Sequence, residues 1–261
     1  MDSYDETVKT AGEVAKLATK SLDVVGQFGG FLSKIFGTPA KDAYGIVGDQ
    51  IDFIQWERRT RMVEIVNQYH EKKGFPPVRP ISPKFAIPMI MNAGLEEDDD
   101  LQDIWCRLIA NSMDANFDFE IRYAFIEMIK SLSSLDAQIL SLVYRGASKY
   151  SSIPSRNFAE DDDVFDNETD YVVRKERMQS YFMSKVVIKH KLGCTGELLD
   201  VSIHNLLRVQ CLNDSSLEDA LSAFETIDDF DDFGDLNLMV PRGYYSLTPL
   251  GIVFVEACII M

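Results

Sequence analysis

The sequence predicts a mainly α protein: a multi-helix N-terminal and middle region, followed by a small C-terminal module that contains a β-hairpin. Three observations predict it. Apolar residues recur every three or four positions over most of the 261-residue chain, which is the period of an amphipathic helix. Only one pair of short strand-like runs is separated by a turn signal, LNLMV and YYSLT around Pro241-Arg242-Gly243, as a hairpin requires. Hydrophobic residues at 46% and charged residues at 26% match ordinary globular usage and exclude wholesale disorder.

From Ser3 to Leu22, the positions Val8, Ala11, Ala15, Ala18 and Leu22 hold one helical face. The segment Val24–Phe36 follows, and its Gly26, Gly29 and Gly30 disfavour helix by about 1 kcal/mol each relative to alanine. That makes it a hinge or a place of close backbone approach. Thr38 and Pro39 then provide a cap and a first helical residue for a long helix ending at Lys73-Gly74, with Ala43, Val47, Ile51, Ile54, Met62, Ile65 and Tyr69 on one face. Phe75–Pro83, with four prolines, is an extended connector.

A short helix is expected over Lys84–Asn92. The next is clearer, with Leu101, Ile104, Trp105, Leu108, Ile109 and Met113 forming a broad apolar stripe behind the acidic run Glu96–Asp100. Carboxylates there meet the positive end of the helix dipole. Phe119–Leu132 reads as another helix, and Ser133 or Ser134 caps its successor with Asp136 in the first turn. Gly146–Glu168 is polar and reads as a loop, and Tyr171–His190 as a helix running into a strand. Helices at Leu198–Cys211 and Ser216–Ile227 precede the hairpin. Thr248 and Pro249 open a terminal helix expected to bury Leu250, Val253, Phe254 and Ala257. Helix, helix, hairpin, helix is a winged-helix-like order. Charge and composition divide the chain into residues 1–80, 81–150, 151–196 and 197–261.

The net charge of −16 repels phosphate backbones, and residues 197–261 carry only Arg208 and Arg242 against twelve acids. The module is therefore expected to serve protein interaction rather than DNA reading. Cys106, Cys194, Cys211 and Cys258 lie far apart, a pattern of reduced thiols that fits the cytoplasm. The N-terminus lacks a basic region followed by an apolar stretch, so no secretory signal is expected. The longest uncharged run, Gly243–Val255, has 13 residues against the roughly 20 of a spanning helix.

His70, His190 and His204 sit on separate segments, in no ligand spacing. Nucleophile-elbow, phosphate-loop and dinucleotide motifs do not occur. Placing Gly234 at the sixth position of a calcium loop puts Phe233 and Val240 where oxygen ligands belong, which excludes an EF-hand. No catalytic, cofactor or metal residues are expected. Arg58, Arg59 and Arg61 beside Trp56 form a basic patch, read as paired with neighbouring acids.

Three stretches together resemble the abortive infection alpha family of bacterial phage-resistance proteins. They are Leu95–Asn111 (LEEDDDLQDIWCRLIAN), Phe125–Leu140 (FIEMIKSLSSLDAQIL), and Asn205–Leu212 taken with the ending Tyr244–Cys258 (YYSLTPLGIVFVEAC). The motif positions Trp105, Asp136, Asn205, Leu247, Thr248 and Gly251 are packing and capping residues, so the resemblance implies a shared fold and carries no catalytic residue. Cys211 departs from it, standing where a glycine ending the Asn205 helix is more usual.

What the resemblance implies is a cytoplasmic protein acting in abortive infection. The sequence reading is a non-enzymatic interaction protein that senses or restrains a partner, the partner being a protein or a second copy of the chain and not nucleic acid. Its rivals are an enzyme with a site assembled from scattered residues, and an effector that meets a membrane surface through Val24–Phe36.

Overall fold

The computed structural model describes residues 46–74, 77–117, 120–152, 167–215 and 243–260, with backbone alone over 46–56 and 167–170. It is mainly helical, with one small antiparallel sheet. The described residues fall into two compact units, one ending at Lys130 and the other beginning at Ser131, a boundary inside the charge-based block 81–150. The glycine segment Val24–Phe36, the helix Ser3–Leu22 and the expected cap at Thr38 lie outside the described residues, as do Ser216–Ile227 and LNLMV.

In the first unit, helix α1 (Ile46–Lys72) packs on α2 (Pro83–Leu95) and α3 (Asp99–Met113), and α4 (Tyr123–Lys130) closes the group. Among the described side chains of α1, Met62, Val66, Tyr69 and His70 are buried, with Ile65 only half-buried. Helix α3 is central. Asp98 accepts from the Leu101 amide at 3.0 Å and caps it, and Asp99 and Asp100 occupy its first turn. Contact on several sides explains why Leu101, Gln102, Ile104, Trp105, Cys106, Leu108 and Ile109 are all buried, wider than the stripe a surface helix needs. The proline connector is tied to the end of α3 by a Val78–Asp114 bridge and by amide bonds from Arg79 to Met113 and from Ala115 to Pro77.

In the second unit, α5 (Ser134–Ser151) begins with a capping box in which Ser133 and Asp136 each accept from the other's backbone amide. It runs through Gly146, which the sequence reading placed in a loop. The helix continues because the Tyr181 ring stacks directly on that glycine, where a Cβ would stand 2.6 Å from ring carbons. Next come α6 (Asn167–Gln179), β1 (Met183–Ser184), α7 (Lys185–Leu192), α8 (Gly196–Arg208), β2 (Leu212–Ser215), β3 (Tyr244–Leu247) and α9 (Pro249–Cys258). The expected strand after Tyr171 is two residues long, and Val186–His190 is helical instead. Ser184 caps that helix, and Gly193 ends it in the left-handed conformation at φ 62°.

β3 lies between β1 and β2 and is antiparallel to both, with Leu212 opposite Leu247 and Ser215 opposite Tyr244. The expected first hairpin strand is outside the described residues, so the partners seen for YYSL are these two. α9 buries Ile252, Phe254, Val255, Ala257 and Cys258, while Leu250 and Val253 are half-buried. The inward face is therefore rotated from the expected one, because the cap at Thr248 turns Gly251 toward the body of the unit.

Candidate functional site

The motif residues of the second unit form one anchoring network. Asn205, on α8, donates its side-chain amide to the Ser131 carbonyl at 2.7 Å and to Asp136 Oδ2 at 2.9 Å. The carboxylate that closes the α5 cap thus also holds α8. Arg208 in turn donates to Asn205 Oδ1 at 2.8 Å. Further along, Gln210 takes a left-handed φ of 57°, which aims its carbonyl and that of Cys211 at the chain end. Thr248 donates its hydroxyl to the Gln210 carbonyl at 2.5 Å and accepts from the Gly251 amide at 2.8 Å. Gly251 lies against the Cys211 carbonyl, whose carbon would be 2.9 Å from any added Cβ. Leu247 is fully buried beside them, and Trp105 is fully buried in the first unit. Asp136, Asn205, Thr248 and Gly251 join elements to one another, and Trp105 and Leu247 are core.

The remaining sequence candidates are likewise held by the fold. Arg58 pairs with Asp99 at 2.5 Å, and Arg61 bonds Gln102 at 2.5 Å and Asp103 at 3.0 Å. Those bonds pin α1 to the start of α3. The Arg58 guanidinium, followed by Arg61, holds the exposed Asp99 carboxyl below its usual range. Burial pushes the Cys106 thiol far up, and burial with the Asp136 carboxylate takes Cys211 up to about 12. Both thiols are fully buried, unlike the exposed, electropositive setting of reactive cysteines. His190 and His204 are exposed on α7 and α8. His70 is 1% exposed, and neither ring nitrogen has a hydrogen-bond partner. Burial pushes its pKa down, against an upward pull from Asp114. Among the described residues, no group of three or more His, Cys, Asp or Glu side chains is placed to hold a metal ion, and no helix is long and apolar enough to cross a membrane.

A feature that sequence reasoning missed lies between α5 and α6. There a cleft of about 790 Å³ is lined by Arg145 and Lys149 from one helix and Arg174 and Arg177 from the other. Helical spacing assembles it. Arg145 stands three and four residues before Ser148 and Lys149, Ser152 stands four and three after them, and Arg174 and Arg177 are three apart, which places each set on a single face. Arg174 donates to Ser148 Oγ at 3.2 Å. Below, Tyr144 donates to Glu256 Oε1 at 3.0 Å, and Lys175 pairs with the other oxygen of that carboxylate at 3.5 Å. Glu256 is thereby occupied with Lys175, and burial followed by this carboxylate pushes the Tyr144 hydroxyl well above its ordinary pKa.

The described residues form a mainly helical protein of two units, and its motif residues are caps, anchors and core. The profile of the abortive infection alpha family matches residues 57–258, most of the chain and both units. The chain belongs to that family. No curated protein and no solved structure matches it.

Proposed function

We propose that this chain is a non-enzymatic interaction protein of bacterial phage defence, acting in the cytoplasm during abortive infection by sensing or restraining a protein partner. Family membership supports the defence role, and one surface supports the interaction role. Helix α8 exposes Leu198 (59%) and Val201 (70%), with Val186 of neighbouring α7 exposed as well. Apolar side chains left in water on adjacent helices are what a protein partner covers.

The order α6, β1, α7, α8, β2, β3, with β3 central in the sheet, supports reading the second unit as a winged-helix-like module that starts near Asn167 rather than at 197. In that reading α8 is the helix a DNA-binding relative would lay in the major groove. Its outward residues include Glu197, Leu198 and Val201, with Arg208 already held by Asn205. Phosphate contact needs several lysines and arginines on such a face, so a protein surface is the better fit.

The test is phage challenge of a sensitive bacterium expressing the chain. A Leu198→Glu/Val201→Glu variant, equal to wild type in melting temperature and abundance, is expected to lose protection. If it protects as well as wild type, this face is not the interaction surface and the reading fails.

A further inference from the structure

We infer that the outward face of α2 is the contact through which two copies of this chain pair, antiparallel about a twofold axis at Met91. This goes beyond the defence role and does not rest on it.

Helix α2 carries no charge from Phe85 to Leu95, and apolar residues occupy both of its sides. Ala86, Met89, Ile90, Ala93 and Gly94 are buried, on a helix that packs on α1, α3 and α4. On the other side Ile87, Met91 and Leu95 follow one another at four-residue steps, which lays them in one row. All three are exposed, Leu95 by 57%. Tyr123 of α4 is exposed as well, and its ring meets that of Phe85 at 6.3 Å between centroids, which widens the patch. A helix that is apolar all round belongs in an interior. One side of α2 is therefore built for a burial that the described residues do not supply.

Symmetry and charge identify the occupant. At a twofold contact the surface must complement itself. Antiparallel pairing sets Met91 against Met91 of the second copy, and Ile87 against Leu95 on either side of the axis, so no charge enters the row. The ends of the row are complementary too. Lys84, three residues before Ile87, is exposed beside the Phe85 ring, whereas the exposed carboxylates of Glu97 and Asp100 follow Leu95. Antiparallel pairing brings the lysine end of each copy to the acidic end of the other and joins opposite ends of the helix dipoles. Parallel pairing would set like charges together at both ends. The acidic run Glu96–Asp100 also disfavours an anionic lipid surface as the occupant, since headgroups would repel it.

The test is analytical ultracentrifugation of the full chain across micromolar concentrations, with crosslinking as a second readout. Wild type is expected to sediment at twice the chain mass. Met91→Glu, which sets two carboxylates face to face on the axis, should sediment as a single chain at the same concentrations with an unchanged melting temperature. Lys84→Glu should weaken pairing severalfold at low salt, and Lys84→Glu/Glu97→Lys should restore it. In a Cys194→Ser background, where the remaining cysteines are buried, a short bismaleimide should join Met91→Cys chains into a covalent dimer and leave Val201→Cys chains single. That readout decides the matter should Met91→Glu misfold. The inference is overturned by a monomer at every concentration, whether residues 1–45 of the same chain or an anionic vesicle then cover the face. It is equally overturned by a dimer that Met91→Glu leaves intact, by a double charge variant no better than Lys84→Glu, or by crosslinking through Val201→Cys in place of Met91→Cys.

Discussion

Thr248 and Gly251 act through distances of a few bonds, which is why they were legible. A threonine before proline at a helix start predicts a cap from local chemistry alone, and the hydroxyl does accept from the Gly251 amide. Thr248→Ala should cost about 1 kcal/mol for the cap, measured by urea unfolding. Gly251→Leu should cost at least the 1–3 kcal/mol typical of overpacking, since the obstacle is the Cys211 backbone and not a movable side chain. A Gly251→Leu variant as stable as wild type would contradict the close approach. Asn205 shows the opposite case. Its partners Ser131 and Asp136 are distant in sequence, so no local pattern could announce them. His70 offers a signed test. Its native pKa is lowered from 6.5 by burial, so the unfolded chain binds more protons between that lowered value and 6.5. Stability therefore falls as pH drops through this window. His70→Leu removes the titration and two unpartnered ring nitrogens, so stability at pH 7 should be equal or higher and the acid-side loss smaller. A steeper loss in the variant would sink this account.

Among elements, α3 was read with its acidic start and its apolar residues because each signal lies within or beside the helix, whereas Asp98 was not singled out as its cap. Its burial on several sides was not legible, since that depends on α1 and α2 packing against it. Trp105 is fully enclosed, and Trp105→Ala should cost about 3–5 kcal/mol, the usual loss for a large buried aromatic, again by urea unfolding; a loss under 1 kcal/mol would contradict the enclosure. Leu140 is buried in the second unit, on α5. The stretch Val186–Ile188 was misread for a physical reason. β-branched residues favour strand, yet the Ser184 cap, the left-handed Gly193 and the buried Ile188 hold it as helix, an instance of tertiary context overriding propensity. The strand before it is too short to show alternation at all.

At the scale of the molecule, net charge and local charge point in different directions, and the difference bears on what can bind. The count of acids and bases was plain in the sequence, whereas the cleft was not, because Arg145 and Lys149 come from one helix and Arg174 and Arg177 from the next. A duplex lays phosphates along a surface many residues wide, and its affinity grows with the number of phosphates neutralised. This chain carries 42 acids against 26 bases, and the outward face of α8 offers Leu198 and Val201 where phosphate-binding side chains would be needed. The chain should therefore show no submicromolar binding to a generic DNA duplex by fluorescence anisotropy at moderate salt. Tight duplex binding with a steep salt dependence would reverse the assignment of α8 to a protein partner.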